Sequence, residues 1–170
     1  MEVAIMRIRR AKEEDFKEIW PIFKEVISKG DSYVFNPDTS MEDAYYYWFG
    51  EGIKTYVIEE DDKIVGMYKL IANQPDLGSH VANASFMVSL SHQGKGFGRK
   101  MGINCLKEAK KAGFKAIQFN FVVSTNTGAI KLWKDLGFEI VGTLPKAFNH
   151  MELGLVDAYV MYRFLDDIQL

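Results

Sequence analysis

Residues 92–101, "HQGKGFGRKM", set Gly94, Gly96 and Gly98 between an apolar run and "RKMGINCLKEAKKAG", which reads as a helix. Glycine weakens a helix start, so three of them there call for a reason. A helix that follows a strand presents its first N–H groups and the positive end of its dipole at the turn. Glycine removes the side chains that would keep an anion away from those groups, and it permits positive φ. Lys95, Arg99 and Lys100 add local positive charge. The chemistry such a loop can do is phosphate binding; the alternative is a tight turn that binds nothing.

Two nucleotide patterns do not fit. A dinucleotide site needs G-x-G-x-x-G and an acidic residue about 20 positions on. Here the spacing is G-x-G-x-G and the next strand ends "VVSTN". The G-x-x-x-x-G-K-[ST] loop is absent, which ranks a mononucleotide-binding domain last. Asn83 in "VANASFMV" and Asn120 in "AIQFNFVV" lie inside strand-like segments, where asparagine is disfavoured and a buried amide must find partners. By alternation Asn83 points with Ser85 and Met87, and Asn120 with Gln118 and Val122; each faces either a pocket or solvent. Cys105 falls on an apolar helix face and is expected in the core rather than as a nucleophile. His80, His92 and His150 lack metal-ligand spacing, so no metal is expected; His92 faces solvent or touches phosphate. The aromatic run "YYYWF" at 45–49, with Tyr33 and Phe35, is divided between core packing and an acceptor site.

At 170 residues the chain fits a single domain, 1–170, with a core that needs no staple. Its 48% hydrophobic and 26% charged residues suit a soluble globular protein. A net charge of −2 leaves no overall basic footprint, so no nucleic-acid partner is expected and any anion site must be local. No apolar stretch reaches the roughly 18–20 residues that span a bilayer, and "MEVAIMRIRRAKEED" lacks a signal-peptide pattern. One cysteine excludes an intramolecular disulfide and leads to the expectation of a cytoplasmic protein.

Certain elements must position the loop. "VAIMRIRR" alternates as a strand, and Phe16, Ile19, Trp20, Phe23 and Ile27 are at helical spacing up to Gly30, with Pro21 predicting a kink or two short helices. Ser40 and Asp43 look like the cap of a helix over "MEDAYYYWF", after a loop at 31–39. "KTYVIEE" and "KIVGMYKLIA" flank a hairpin turn, and "VANASFMVSL" is a strand ending just before the glycines. The helix at about 96–112 has Met101, Cys105, Ala109 and Ala112 on one face and stops at Gly113. Then come the strand "KAIQFNFVV", the helix "AIKLWKDLG", and two strands, "FEIVGTLP" and "VDAYVMYRFL". "AFNHMELGLVDAY" reads as a loop entering the last strand. The order indicates one mixed α/β domain.

Gln93-x-x-Gly96-x-Gly98 resembles the acetyl-CoA loop, Q/R-x-x-G-x-G/A, of the GCN5-related N-acetyltransferase family. The strand "ASFMVSL" before it, Asn126 after the next strand, and Leu136-Gly137-Phe138 ending the next helix match that family over roughly residues 5–165. The resemblance implies an α/β (α+β) fold: a mixed, mostly antiparallel sheet with a splayed parallel strand pair, flanked by helices. It implies acetyl-CoA as cosubstrate, held at Gln93, Gly94, Lys95, Gly96, Phe97, Gly98 and Arg99, with Met87 and Val88 facing the pantetheine arm. Asn126 either touches the cofactor or caps the helix from Thr127. The helix tyrosine that often protonates the leaving thiolate is replaced by Trp133, whose indole N–H donates a hydrogen bond but no proton. "HVANAS" lacks the carboxylate base of histone-type members.

Asn73, Asn83, Asn120 and Asn126 also resemble a yeast-type subgroup acting on L-azetidine-2-carboxylate and related proline analogues. That resemblance implies a small-molecule amine acceptor, an amino or imino acid, positioned by Asn83 and Asn120, with Asn73 in the same set; the reading of the aromatic residues adds Tyr33 and Phe35 to the acceptor site. The alternatives are a peptide or protein N-terminal amine, a polyamine, or a non-catalytic acyl-CoA-binding module. Members often form homodimers.

Overall fold

The structure, a computed structural model, describes residues 4–170; Met1–Val3, including the first residue of the expected opening strand, lie outside the described residues. The chain runs β1 (Met6–Arg10), α1 (Phe16–Ser28), α2 (Met41–Phe49), β2 (Lys54–Glu60), β3 (Lys63–Ala72) and β4 (Val81–Val88). It continues through α3 (Phe97–Lys111), β5 (Ala116–Val123), α4 (Thr127–Asp135), β6 (Glu139–His150) and β7 (Gly154–Phe164). Seven strands form one sheet in the order β1-β2-β3-β4-β5-β7-β6. Every neighbouring pair is antiparallel except β4–β5.

Alternation along the strands gives the sheet two apolar faces, each covered by helices. Met101, Cys105 and Ala109 of α3 and Trp133 of α4 pack with Tyr68, Leu70, Ala84, Phe119 and Met161. On the other face Ile19, Phe23 and Ile27 of α1 and Trp48 of α2 meet Val57, Met67 and Met87. Cys105 is 1% exposed, and burial pushes its thiol well above the ordinary range, so it is a packing residue. Ala112, expected on the same face, is the exposed C-cap instead.

Local chemistry explains most boundaries. The Ser40 side chain accepts from the Asp43 N–H at 3.0 Å and starts α2. Asp61 and Asp62, both at positive φ, make the tight β2–β3 turn. Two expectations need correction. Pro21 does not divide α1 into two helices; it lies on the exposed side, where water can replace the lost hydrogen bond. "AFNHMELGLVDAY" is not a loop: β6 and β7 form a long hairpin with its turn at residues 151–153. A wide bulge between Leu144 and Phe148 takes in Pro145, which cannot donate to the ladder, and Lys146 at φ +51. The Lys146 N–H donates to Asp157 at 2.8 Å, and pairing resumes at Phe148–Val156.

Candidate functional site

The parallel pair opens the site. β4 and β5 are in register only at Val81–Ala116 and Ala82–Ile117, then part, leaving the β5-facing edge of β4 without a strand partner among the described residues. A cleft of about 1160 Å³ fills the gap. Its walls include Asn83–Val88 of β4 and Phe119–Val123 of β5.

At one end lies the glycine loop. Gly94 (φ +74) and Gly96 (φ +85) are left-handed, and a Cβ on either would meet nothing within 4 Å. Gly98 serves a different purpose: its Cβ would sit 3.4 Å from Leu132 of α4. Among the described residues, none of the backbone N–H groups from Gln93 to Arg99 has a protein acceptor, and α3 has no side-chain N-cap. Unpaired amides around a helix N-terminus, with no side chain above them, form an anion cradle. Arg99 flanks it, loosely paired with Asp135 at 3.9 Å. His92 lines the cleft, but its Nδ1 lies 3.1 and 2.9 Å from the Ser89 and Ser91 hydroxyls and its Nε2 lies 3.5 Å from Glu60.

Asn126 is an N-cap: its side-chain oxygen accepts from the Ala129 N–H at 3.3 Å. Its amide NH2 has no protein acceptor among the described residues, so capping and cleft contact are compatible. Trp133 is 8% exposed, with its ring 4.7 Å from both Phe86 and Phe119. Of the anticipated cofactor residues, Met87, Val88, Gln93, Gly94, Gly96, Phe97, Gly98, Arg99, Asn126 and Trp133 all line the cleft, and Lys95 does not.

The other end gathers Asn83, Asn120, Tyr33 and Phe35. Asn83 has no protein partner for its amide among the described residues. Asn120 donates to Asn73 at 2.7 Å and accepts from Gln118 at 2.9 Å. Asn73 thus lies behind Asn120, outside the cleft lining. A register shift between Phe119 and Val122 breaks the alternation expected for β5, so Val122 joins the core face with Phe119 rather than pointing with Asn120.

This end also takes in Tyr47 of α2, from the aromatic run, and Ser85, which alternation places with Asn83; Lys29 and Asp31 after α1, and His150, Glu152 and Leu153 of the hairpin, line it without a sequence signature. Burial pushes the Tyr47 phenol up to about 12, with Ser85 pulling the other way, and burial also raises Tyr33. Both are neutral hydrogen-bond donors near neutral pH. Beneath Tyr47 lies Lys69, 8% exposed, its Nζ 3.3 Å from the ring centroid and donating to the Tyr47 carbonyl at 3.0 Å. Burial lowers Lys69 to about 8. The unfolded chain therefore binds more protons than the folded one between about pH 8 and the ordinary lysine value near 10.4, so stability rises with pH there and is lost as pH falls through it. Lys69→Met is expected to remove that slope. From about pH 7.5 to 9.5 the wild type should gain roughly 1–2 kcal/mol relative to the variant in urea unfolding.

Among the described residues no group of three or more His, Cys, Asp or Glu is placed to hold a metal, and no helix is long and apolar enough to cross a membrane.

Residues 12–138 match the family described as "Acetyltransferase (GNAT) family". The chain belongs to that family. A solved GCN5-related N-acetyltransferase from Kribbella flavida is 40% identical, with a TM-score of 0.89 covering 94% of this chain and 97% of that one. N-acetyltransferase aca1 of Schizosaccharomyces pombe is 36% identical over 114 residues, 66% of this chain. That match spans only about half of aca1, 54% of its length. L-amino acid N-acyltransferase MnaT of Escherichia coli is 27% identical over 147 residues, 83% of this chain and 84% of MnaT.

Proposed function

We propose that the protein is an N-acetyltransferase that moves an acetyl group from acetyl-CoA to the amine of a small molecule, an amino or imino acid. One observation carries this reading. A single cleft joins a cradle of unpaired amides, an unpaired strand edge and a polar end lined by asparagine and tyrosine.

The residues fit acetyl-CoA in sequence along that cleft. The amides of Gln93–Arg99 would take the diphosphate, with Arg99 and the more distant Lys95 adding charge. The free edge of β4 at Met87 and Val88 would pair with the pantetheine amides, as a neighbouring strand would. When bound, the thioester supplies an activated acyl group. The chain positions the amine, holds the carbonyl oxygen with backbone N–H groups, and stabilises the departing sulfur. Trp133 Nε1–H and the Asn126 amide are donors for that last task. Neither is a proton source, so the proton leaves by another route.

At the acceptor end Asn83 and Asn120 offer amides that accept from an amine and donate to a carboxylate, with Asn73 fixing Asn120. Tyr33 and Phe35 wall the site. The name of MnaT supports amino acids, and the asparagine set supports imino acids. Release of free CoA thiol, followed with amino acids, imino acids, peptides and polyamines, tests the reading; turnover is expected with amino or imino acids. Acetyl-CoA binding without turnover on any amine would favour a non-catalytic acyl-CoA module. Asn83→Ala is expected to lower kcat about tenfold while leaving acetyl-CoA affinity unchanged. Wild-type constants in that variant would remove Asn83 from the site.

A further inference from the structure

The tip of the β6–β7 hairpin docks onto the end of α1. The Met151 N–H donates to the Gly30 carbonyl at 3.0 Å, and a Cβ on Gly30 would fall 2.1 Å from Met151 Sδ. This contact brings His150 into the cleft wall, beside the segment that carries Asp31 and Tyr33. His150 is 8% exposed. Its Nδ1 accepts from the backbone N–H groups of Glu152 at 3.1 Å and Leu153 at 3.2 Å. An Nδ1 that accepts two N–H groups carries no proton, so the ring proton is on Nε2. Among the described residues Nε2 has no partner. Among the described residues the one buried side-chain polar atom without a partner is Trp48 Nε1, so His150 Nε2 is accessible, and His150 is one of the residues that line the cleft.

We propose that His150 is a specificity-determining residue, donating Nε2–H to an acceptor oxygen, the carboxylate or carbonyl borne next to the amine. This rests on the acetyltransferase reading above. At Nε2 the ring already holds its proton, so His150 is a donor rather than a base. The carboxylates lining the cleft, Asp31 and Glu152, both lie at this end. Lys29 approaches Asp31 at 3.4 Å. Such a set favours an acceptor that brings a cationic or polar amine together with its oxygen, over a lone anion.

The two nitrogens separate by substitution. His150→Asn keeps an acceptor for the Glu152 and Leu153 amides and loses the distal donor, whereas His150→Gln places an amide NH2 near Nε2. Steady-state kinetics would use an L-amino acid, its amide and the corresponding decarboxylated amine. For the amino acid, His150→Asn is expected to raise KM about tenfold, with kcat and the acetyl-CoA KM nearly unchanged. His150→Gln should recover most of the loss, and the decarboxylated amine should not distinguish wild type from His150→Asn. Loss with the amino acid alone identifies a carboxylate, and loss with the amide as well identifies the carbonyl. Unchanged KM in His150→Asn, or an equal rise for the decarboxylated amine, would overturn the assignment. If the wild type binds acetyl-CoA but acetylates no amine, the acetyltransferase reading fails instead. Calorimetry with the amino acid then decides His150: about tenfold weaker binding in His150→Asn supports it, and equal binding contradicts it.

Discussion

Gly96→Glu is expected to weaken acetyl-CoA binding by about 100-fold or more while leaving a folded protein. Two effects act together. The backbone at Gly96 is left-handed at φ +85, which costs an L-residue roughly 1–2 kcal/mol. The larger effect is electrostatic, because a carboxylate would stand over amides that have no protein acceptor among the described residues. Gly96→Ala separates the two, since it carries the backbone cost and only a methyl group into open space. It should lose about 1 kcal/mol of stability and far less affinity than the glutamate variant. Equal affinity in all three proteins would show that phosphate binds elsewhere.

Trp133→Ala should destabilise the fold by about 3–5 kcal/mol, read from urea unfolding. The indole is wedged between Phe86, Phe119 and Phe138, with centroids at 4.7, 4.7 and 5.9 Å. On the helix side it lies against Gly102, where a Cβ would come within 3.1 Å of the ring. Removing it leaves a cavity where α3, α4 and the parted strands meet. Trp133→Phe keeps most of the packing and deletes Nε1–H. That variant should stay within about 1.5 kcal/mol of wild type, so a fall in its kcat would report the lost donor. A small stability loss for Trp133→Ala would mean that this junction is held by other contacts.

The two ends of the cleft differ in how far they can be read from sequence. The anion cradle is local: its amides, glycines and helix lie within about twenty residues, so spacing alone points to it. The spacing does not separate the glycines' tasks, because Gly98 answers to Leu132 across a tertiary contact. The proposed acceptor end is assembled from the segment after α1, from Tyr47 on α2, from β4 and β5, and from a hairpin tip near the C-terminus. No motif links residues so far apart. Two irregularities hide them further. The β5 bulge takes Val122 away from Asn120, and Pro145 at the β6 bulge makes a strand look like a loop. Lys69 shows the same limit: one cation in an apolar strand gives no sign that it lies beneath Tyr47.

The central claim is that the amides from Gln93 to Arg99 hold the diphosphate of coenzyme A at the mouth of a parted sheet. Backbone amide spectra of the isotopically labelled protein, recorded while acetyl-CoA is added, test it residue by residue. The amides of Gly94, Gly96 and Gly98 should move most at saturation, with Met87 and Val88 moving alongside them. Saturating acetyl-CoA that leaves those amides in place, or shifts only residues outside the cleft, would contradict it.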